Sequence, residues 1–177
     1  MLRILVSVLL ASGLAQAQTT PDLARWKDEA EHGDANAQFW LGAGYERGKG
    51  VEQDFAQALR WFAESAKQGN ADAENMLGQM YEDAEGVARN FRQAAEWYRA
   101  ACEHRPVCGG AGQGCNNLGL LYLDGRGVKR SRVEAYKYFK LSNSAVNLDI
   151  VKCRMTADEI ARAERRAERW IEAHPDR

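Results

Sequence analysis

Four cysteines and three histidines are the side chains of this chain best suited to chemistry. Cys102, His104, Cys108 and Cys115 lie close together, and thiolates with an imidazole can form the ligand set of a structural zinc site. No Cys-x-x-Cys knuckle is present, so the same thiols read equally well as a disulfide framework if the chain meets an oxidising compartment. Cys153 stands apart near the C-terminus. His32, His104 and His174 each lack a nucleophile or a carboxylate partner in a catalytic arrangement, and they read as solvated surface groups. Neither Ser65-Ala66-Lys67 nor Ser142-Asn143-Ser144 has the Ser-x-x-Lys spacing of an acylation site. Gly48/Gly50 and Gly125/Gly127 follow no strand and precede no Lys-Ser, which makes them helix terminators and not phosphate loops. The expectation is a non-enzyme with no cofactor and no resident metal.

The compartment is read from the N-terminus. One basic residue, Arg3, precedes an apolar run from Ile4 to Leu14, and Ala15-Gln16-Ala17 supplies a small-x-small ending. This is the pattern of a secretory signal peptide over residues 1–17. The run falls short of the roughly 20 apolar residues that span a bilayer. Residues 18–177 are therefore expected as one periplasmic or secreted domain with no membrane span, its cysteines exposed to oxidation. Without Arg3 the balance is 23 basic against 25 acidic residues, which excludes the basic signature of a nucleic-acid binder.

The elements that position these residues emerge when the sequence is slid against itself. At a shift of 36, residues 30–65 match residues 66–101 at fourteen positions, among them Leu41/Leu77, Gly42/Gly78, Tyr45/Tyr81, Ala58/Ala94 and Trp61/Trp97. Chance would give about two or three, so the repeat is real. A third copy over 107–142 follows at a shift of 41, with Leu118-Gly119, Tyr122, Ala135 and Phe139 in register. The five extra residues belong to the segment 103–114, which reads as a long glycine-rich loop. Each copy is two helices: Ala37, Leu41, Gly44 and Tyr45 share one helical face, and Phe55, Ala58, Leu59 and Phe62 form the stripe of a second. Residues 22–32 align with a second helix and would cap the N-terminal end. A C-terminal cap over 145–173 includes a charged helix opened by the capping box Thr156-Ala157-Asp158-Glu159.

These residues resemble the Sel-one-like repeat family, a relative of tetratricopeptide repeats. Ala35-Asn36-Ala37-Gln38, Leu41-Gly42, Tyr45, Gly48, Gly50-Val51, Ala58 and Trp61-Phe62 stand at its pattern positions, and Ala84 departs from it where the second repeat lacks a glycine. The resemblance covers residues 30–142 and implies an all-α, right-handed superhelical solenoid that binds another protein. A cysteine-rich secreted subgroup of such proteins links the end of one repeat to the start of the next. That pattern implies a Cys102–Cys115 bridge across the insertion, which leaves Cys108 and Cys153 to pair with each other.

In tetratricopeptide-like solenoids the first helices line a concave groove. With Ala37, Leu41 and Tyr45 facing the core, Trp40, Ala43 and Arg47 would face that groove, followed by Met76, Gln79 and Asp83, then by Asn117, Leu120 and Asp124. An apolar strip of Trp40, Met76 and Leu120 bordered by charge suits a binding surface; the other reading packs Trp40 on Trp26. The resemblance implies an adaptor or inhibitor, one form being an immunity protein against a secreted toxin. Two alternatives stand beside it: the β-lactam binding or hydrolysis associated with cysteine-rich relatives, and a structural role in the envelope.

Overall fold

The computed structural model describes residues 21–104 and 110–175, all helix and connecting turn with no strand among them. The leader expected at 1–17 and Cys108 lie outside the described residues. The elements are α1 (Pro21–Glu31), α2 (Ala35–Arg47), α3 (Phe55–Ala66), α4 (Ala71–Asp83), α5 (Phe91–Glu103), α6 (Gly110–Asp124), α7 (Arg132–Leu141), α8 (Ala145–Lys152) and α9 (Ala157–Ala173). Helix pairs α2/α3, α4/α5 and α6/α7 stack as a helical repeat solenoid, with α1 at one end and α8 and α9 at the other.

Repeated local chemistry starts five of the repeat helices. Asp34 and Asn70 accept a first-turn N–H in α2 and α4, while Asp54, Asn90 and Ser131 do the same for α3, α5 and α7. Each such cap contributes about 1 kcal/mol by satisfying a donor the helix cannot. The first helices close in the left-handed conformation, at Gly48 (φ 65°) and Ala84 (φ 67°). Ala84 thus takes the backbone state its glycine counterpart takes, and the second repeat keeps its turn despite the Cβ.

Packing within a repeat rests on one contact made three times. A Cβ placed on Gly42 would lie 2.8 Å from the Phe62 ring and on Gly119 2.6 Å from the Phe139 ring, and one on Gly78 would run into the Tyr98 ring. Only a hydrogen lets the first helix approach the aromatic ring of the second this closely. Between repeats, Gly86 lies against the backbone of Phe55 and Gly127 against that of Phe91, which sets the register of each turn on the repeat before it. Around these contacts Leu41, Phe62, Leu77, Met80, Tyr98, Leu118, Leu121 and Phe139 are buried.

The insertion differs from the expected long loop. Helix α5 runs through Glu103 and α6 already begins at Gly110. Gly114 serves a close approach here, since a Cβ on it would meet the Ala101 methyl at 2.6 Å. That proximity brings Cys102 and Cys115 into a disulfide with a Cα–Cα distance of 4.7 Å. Cys153 is exposed just after α8, and its expected partner Cys108 lies outside the described residues.

The glycine–ring contact makes a directional prediction. Gly78→Ala gains about 1 kcal/mol of helix propensity but drives a methyl into the Tyr98 ring, an overpacking that costs about 1–3 kcal/mol. Its denaturation midpoint should fall below that of the parent chain. A midpoint that rises would mean that α4 and α5 do not meet at this face.

Candidate functional site

The residues expected to line the groove divide into two groups. Trp40 is 47% exposed and also stacks on Trp26, with ring centroids 5.8 Å apart, while Phe39 meets it edge-on. The two readings of Trp40 are therefore compatible, because one face packs on α1 and the remainder faces solvent. Ala43 does not belong to the groove. It is buried with Phe62, Leu77 and Met80, where its small side chain is enclosed between α3 and α4. Met76 is half-buried against the core shared by the first and second repeats and Leu120 against that of the third repeat and the C-terminal cap, so no continuous apolar strip runs from Trp40 to Leu120. Arg47, Asp83 and Asp124 are exposed where the first helices end.

The middle of the face is an uncharged polar groove. Gln79 and Asn117 line a cavity of about 530 Å³ together with Gln113, Asn116, Ser144 and Asn147. Its amides are bonded to one another across repeats. Asn75, 2% exposed, accepts from Asn117 Nδ2 at 3.0 Å and donates to Gln113 Oε1 at 3.2 Å; Asn147 Nδ2 donates to Asn116 Oδ1 at 2.6 Å. Each bond fixes one end of a side chain. Gln113 Nε2, Asn116 Nδ2, Asn117 Oδ1 and Asn147 Oδ1 are left without a protein partner among the described residues, so donors and acceptors face the groove in mixture. Sequence reading by apolar strip missed Asn75, Gln113, Asn116 and Asn147, although their signal was there: amides crowd the first helices of the second and third repeats.

A second set of bonds holds the first helices of the first two repeats to the ends of their partners. In the first repeat, Gln68 donates to Gln38 Oε1 (2.8 Å) and to the Gly33 carbonyl. The register position of that pair is taken in the second repeat by His104 and Glu74, 2.8 Å apart with Glu74 buried. Burial pushes the Glu74 carboxyl above the ordinary carboxylate range, against the opposing effect of His104. His104 is therefore an exposed side chain that also holds the buried Glu74. In the third repeat the same first-helix position is Cys115. The disulfide engages both Cys102 and Cys115, which dissolves the zinc set considered from spacing. Ser65 donates to the Ala35 carbonyl and Lys67 pairs with Glu64, so neither presents itself as a nucleophile–base pair.

The rim shows how one position changes character. Glu82 accepts from the Tyr98 hydroxyl at 2.9 Å and from Arg126 at 2.7 Å. Burial and the Glu82 carboxylate hold the Tyr98 phenol well above its ordinary value, which keeps it a donor. One repeat earlier the register equivalents are Glu46, Phe62 and Glu85. Phe62 has no hydroxyl, and an acid replaces the arginine. Glu46 Oε2 is buried without a hydrogen bond among the described residues. Burial raises the Glu46 carboxyl above its ordinary value; nearby Arg47 lowers it and Glu85 raises it further.

Comparison with known proteins follows the same repeats. A family model for the Sel1 repeat matches residues 35–70, 71–105 and 112–145. Among solved structures, the chain is similar to a protective antigen present in uropathogenic Escherichia coli strains and displaying an SLR fold, with 38% identity and a TM-score of 0.63 over 68% of this chain and 25% of that one. It is also similar to a Sel1 repeat protein from Oxalobacter formigenes, with 26% identity and a TM-score of 0.66 over 83% of this chain and 61% of that one. The chain thus spans less than two thirds of either protein. No curated protein matches the sequence.

Glu46 supplies the prediction of this site. Its carboxyl binds a proton more tightly in the folded chain than in the unfolded one, so its contribution to stability is present in acid and is lost as pH rises through the raised folded value. Glu46→Gln should melt higher than the parent at pH 7, and the gap should close near pH 4. An equal gap at both pH values would show that the carboxylate carries no electrostatic strain.

Proposed function

Because the chain belongs to the Sel1 repeat family, whose repeats mediate protein–protein interaction, we propose that it binds an extended segment of a partner protein along the face of its first helices. The observation that supports this most is the amide ladder, an uncharged groove whose free donors and acceptors are held in place before any ligand arrives. A peptide main chain offers the same alternation of N–H and C=O, and pre-oriented partners reduce the entropy lost on binding. Trp40 at one end supplies the aromatic anchor that side-chain recognition needs.

The proposed setting is periplasmic or secreted. The leader reading of residues 1–17, the Cys102–Cys115 disulfide and the likeness to a protective antigen support it, and no helix among the described residues is long and apolar enough to cross a membrane. In that setting the role is that of an adaptor or an inhibitor, including neutralisation of a secreted toxin.

The test is selection of binders from a displayed library of random peptides. Selected peptides should bind the parent chain and lose at least tenfold in affinity to Trp40→Ala. That variant also gives up the stack on Trp26, a contact worth about 0.5–1.5 kcal/mol, so its stability should fall modestly and its fold should persist. Undiminished binding by a folded Trp40→Ala chain would remove the anchor from the account.

A further inference from the structure

A second surface lies on the C-terminal cap, away from the amide groove. Arg162, Arg165, Arg166 and Arg169 recur at i, i+3, i+4 and i+7, on the side of α9 opposite the buried Ala163 and Ala167. With Ser131 and Val133 they enclose a cavity of about 400 Å³. A neighbouring cavity of about 390 Å³ shares Ser131 and Val133 and adds Arg130, Arg132 and Glu159. Six guanidinium groups thus surround the start of α7, whose N-terminus carries a positive partial charge of its own.

The two glutamates nearest the start of α7 and α9 are already engaged. Glu134 bonds to Lys137 and Arg166. Burial works against its charge, but these two cations hold its carboxyl below the ordinary range. Glu159 closes the capping box of α9 by accepting from Thr156. Arg132, Arg162, Arg165 and Arg169 make no ion pair among the described residues.

This charge is not spread evenly through the chain. Lys and Arg fall short of Asp and Glu up to residue 104 and outnumber them from residue 105 onward. The near-neutral total therefore hides a basic end, and a surface that served only solubility would need no such concentration.

We propose that these adjoining cavities bind a phosphate-bearing ligand. Guanidinium forks match the several oxygens of a phosphoryl group, and a helix N-terminus with its capping serine is a ready anion site. The concave shape favours a compact anion with several charges over a flat acidic protein surface. The phosphoryl group belongs either to a free phosphate or pyrophosphate or to a lipid headgroup.

The experiment uses the full chain at low ionic strength, where such binding is strongest. Calorimetric titration with inorganic pyrophosphate is one arm. Co-sedimentation with vesicles of phosphatidylglycerol in phosphatidylcholine, against phosphatidylcholine alone, is the other. The double variant Arg165→Gln/Arg169→Gln should bind at least tenfold more weakly in whichever arm the parent binds, and Arg60→Gln, remote from the cavities, should match the parent. Binding in the first arm assigns a free phosphate; binding in the second alone assigns a headgroup. All these arginines are exposed, and circular dichroism checks each variant, with Arg162→Gln as a substitute if the double variant misfolds. Absence of binding in both arms overturns the proposal. So does equal binding by parent and double variant, a loss of the same size in Arg60→Gln, or tighter binding of polyglutamate than of pyrophosphate.

Discussion

Contact between a glycine and an aromatic ring sets the geometry from which the rest of this structure follows. Gly42 against Phe62, Gly78 against Tyr98 and Gly119 against Phe139 bring each first helix closer to its partner than any side chain would permit. Close approach buries the flanking Leu41, Leu77 and Leu118 almost completely and fixes the rotation of the first helix. Once that rotation is fixed, the residues on its opposite side have no choice but to form the exposed face of the stack. The groove is a consequence of how tightly the helices pair.

What fills that face then varies from repeat to repeat while the frame stays constant. In the first repeat it carries Trp40; across the second and third it carries amides tied together through the buried Asn75. A buried amide left unsatisfied would cost about 1–3 kcal/mol. Asn75 is satisfied by Gln113 and Asn117, so side chains of the proposed binding face are also the ones that stabilise the junction. The proposed surface and inter-repeat adhesion share the same set of bonds. The staple between first helix and second-helix end varies in the same manner, an amide pair at Gln38 and an acid–imidazole pair at Glu74; at the equivalent Cys115 the tie crosses instead to Cys102 of the preceding repeat.

Repetition made the frame legible in the sequence, because the same leucine, glycine and aromatic recur at fixed intervals and their shared spacing leaves little doubt about the helix pair. The groove was less legible. Burial of Ala43 depends on how far α3 and α4 close over it, and the inward lean of Met76 and Leu120 depends on rotations of a few tens of degrees that periodicity does not resolve. Polar ladders leave no apolar period at all: Asn75 pairs with residues about forty positions away, and only the stacking of repeats shows that they meet. The pairing of the exposed His104 was hidden for the same reason, since its carboxylate lies on another helix. The helical start of α6 was hidden by its glycines, which favour a loop locally, although Gly114 serves a contact with α5.

The central claim is that the free ends of the amide ladder receive a partner's main chain. The most direct test is nuclear magnetic resonance of the side-chain NH₂ groups while an extended peptide ligand is titrated in. The account predicts that Gln113, Asn116, Asn117 and Asn147 shift together with the Trp40 indole, while second-helix residues such as Gln57 and Gln93 stay in place. Shifts confined to the second helices, with the ladder amides unmoved at saturation, would contradict it.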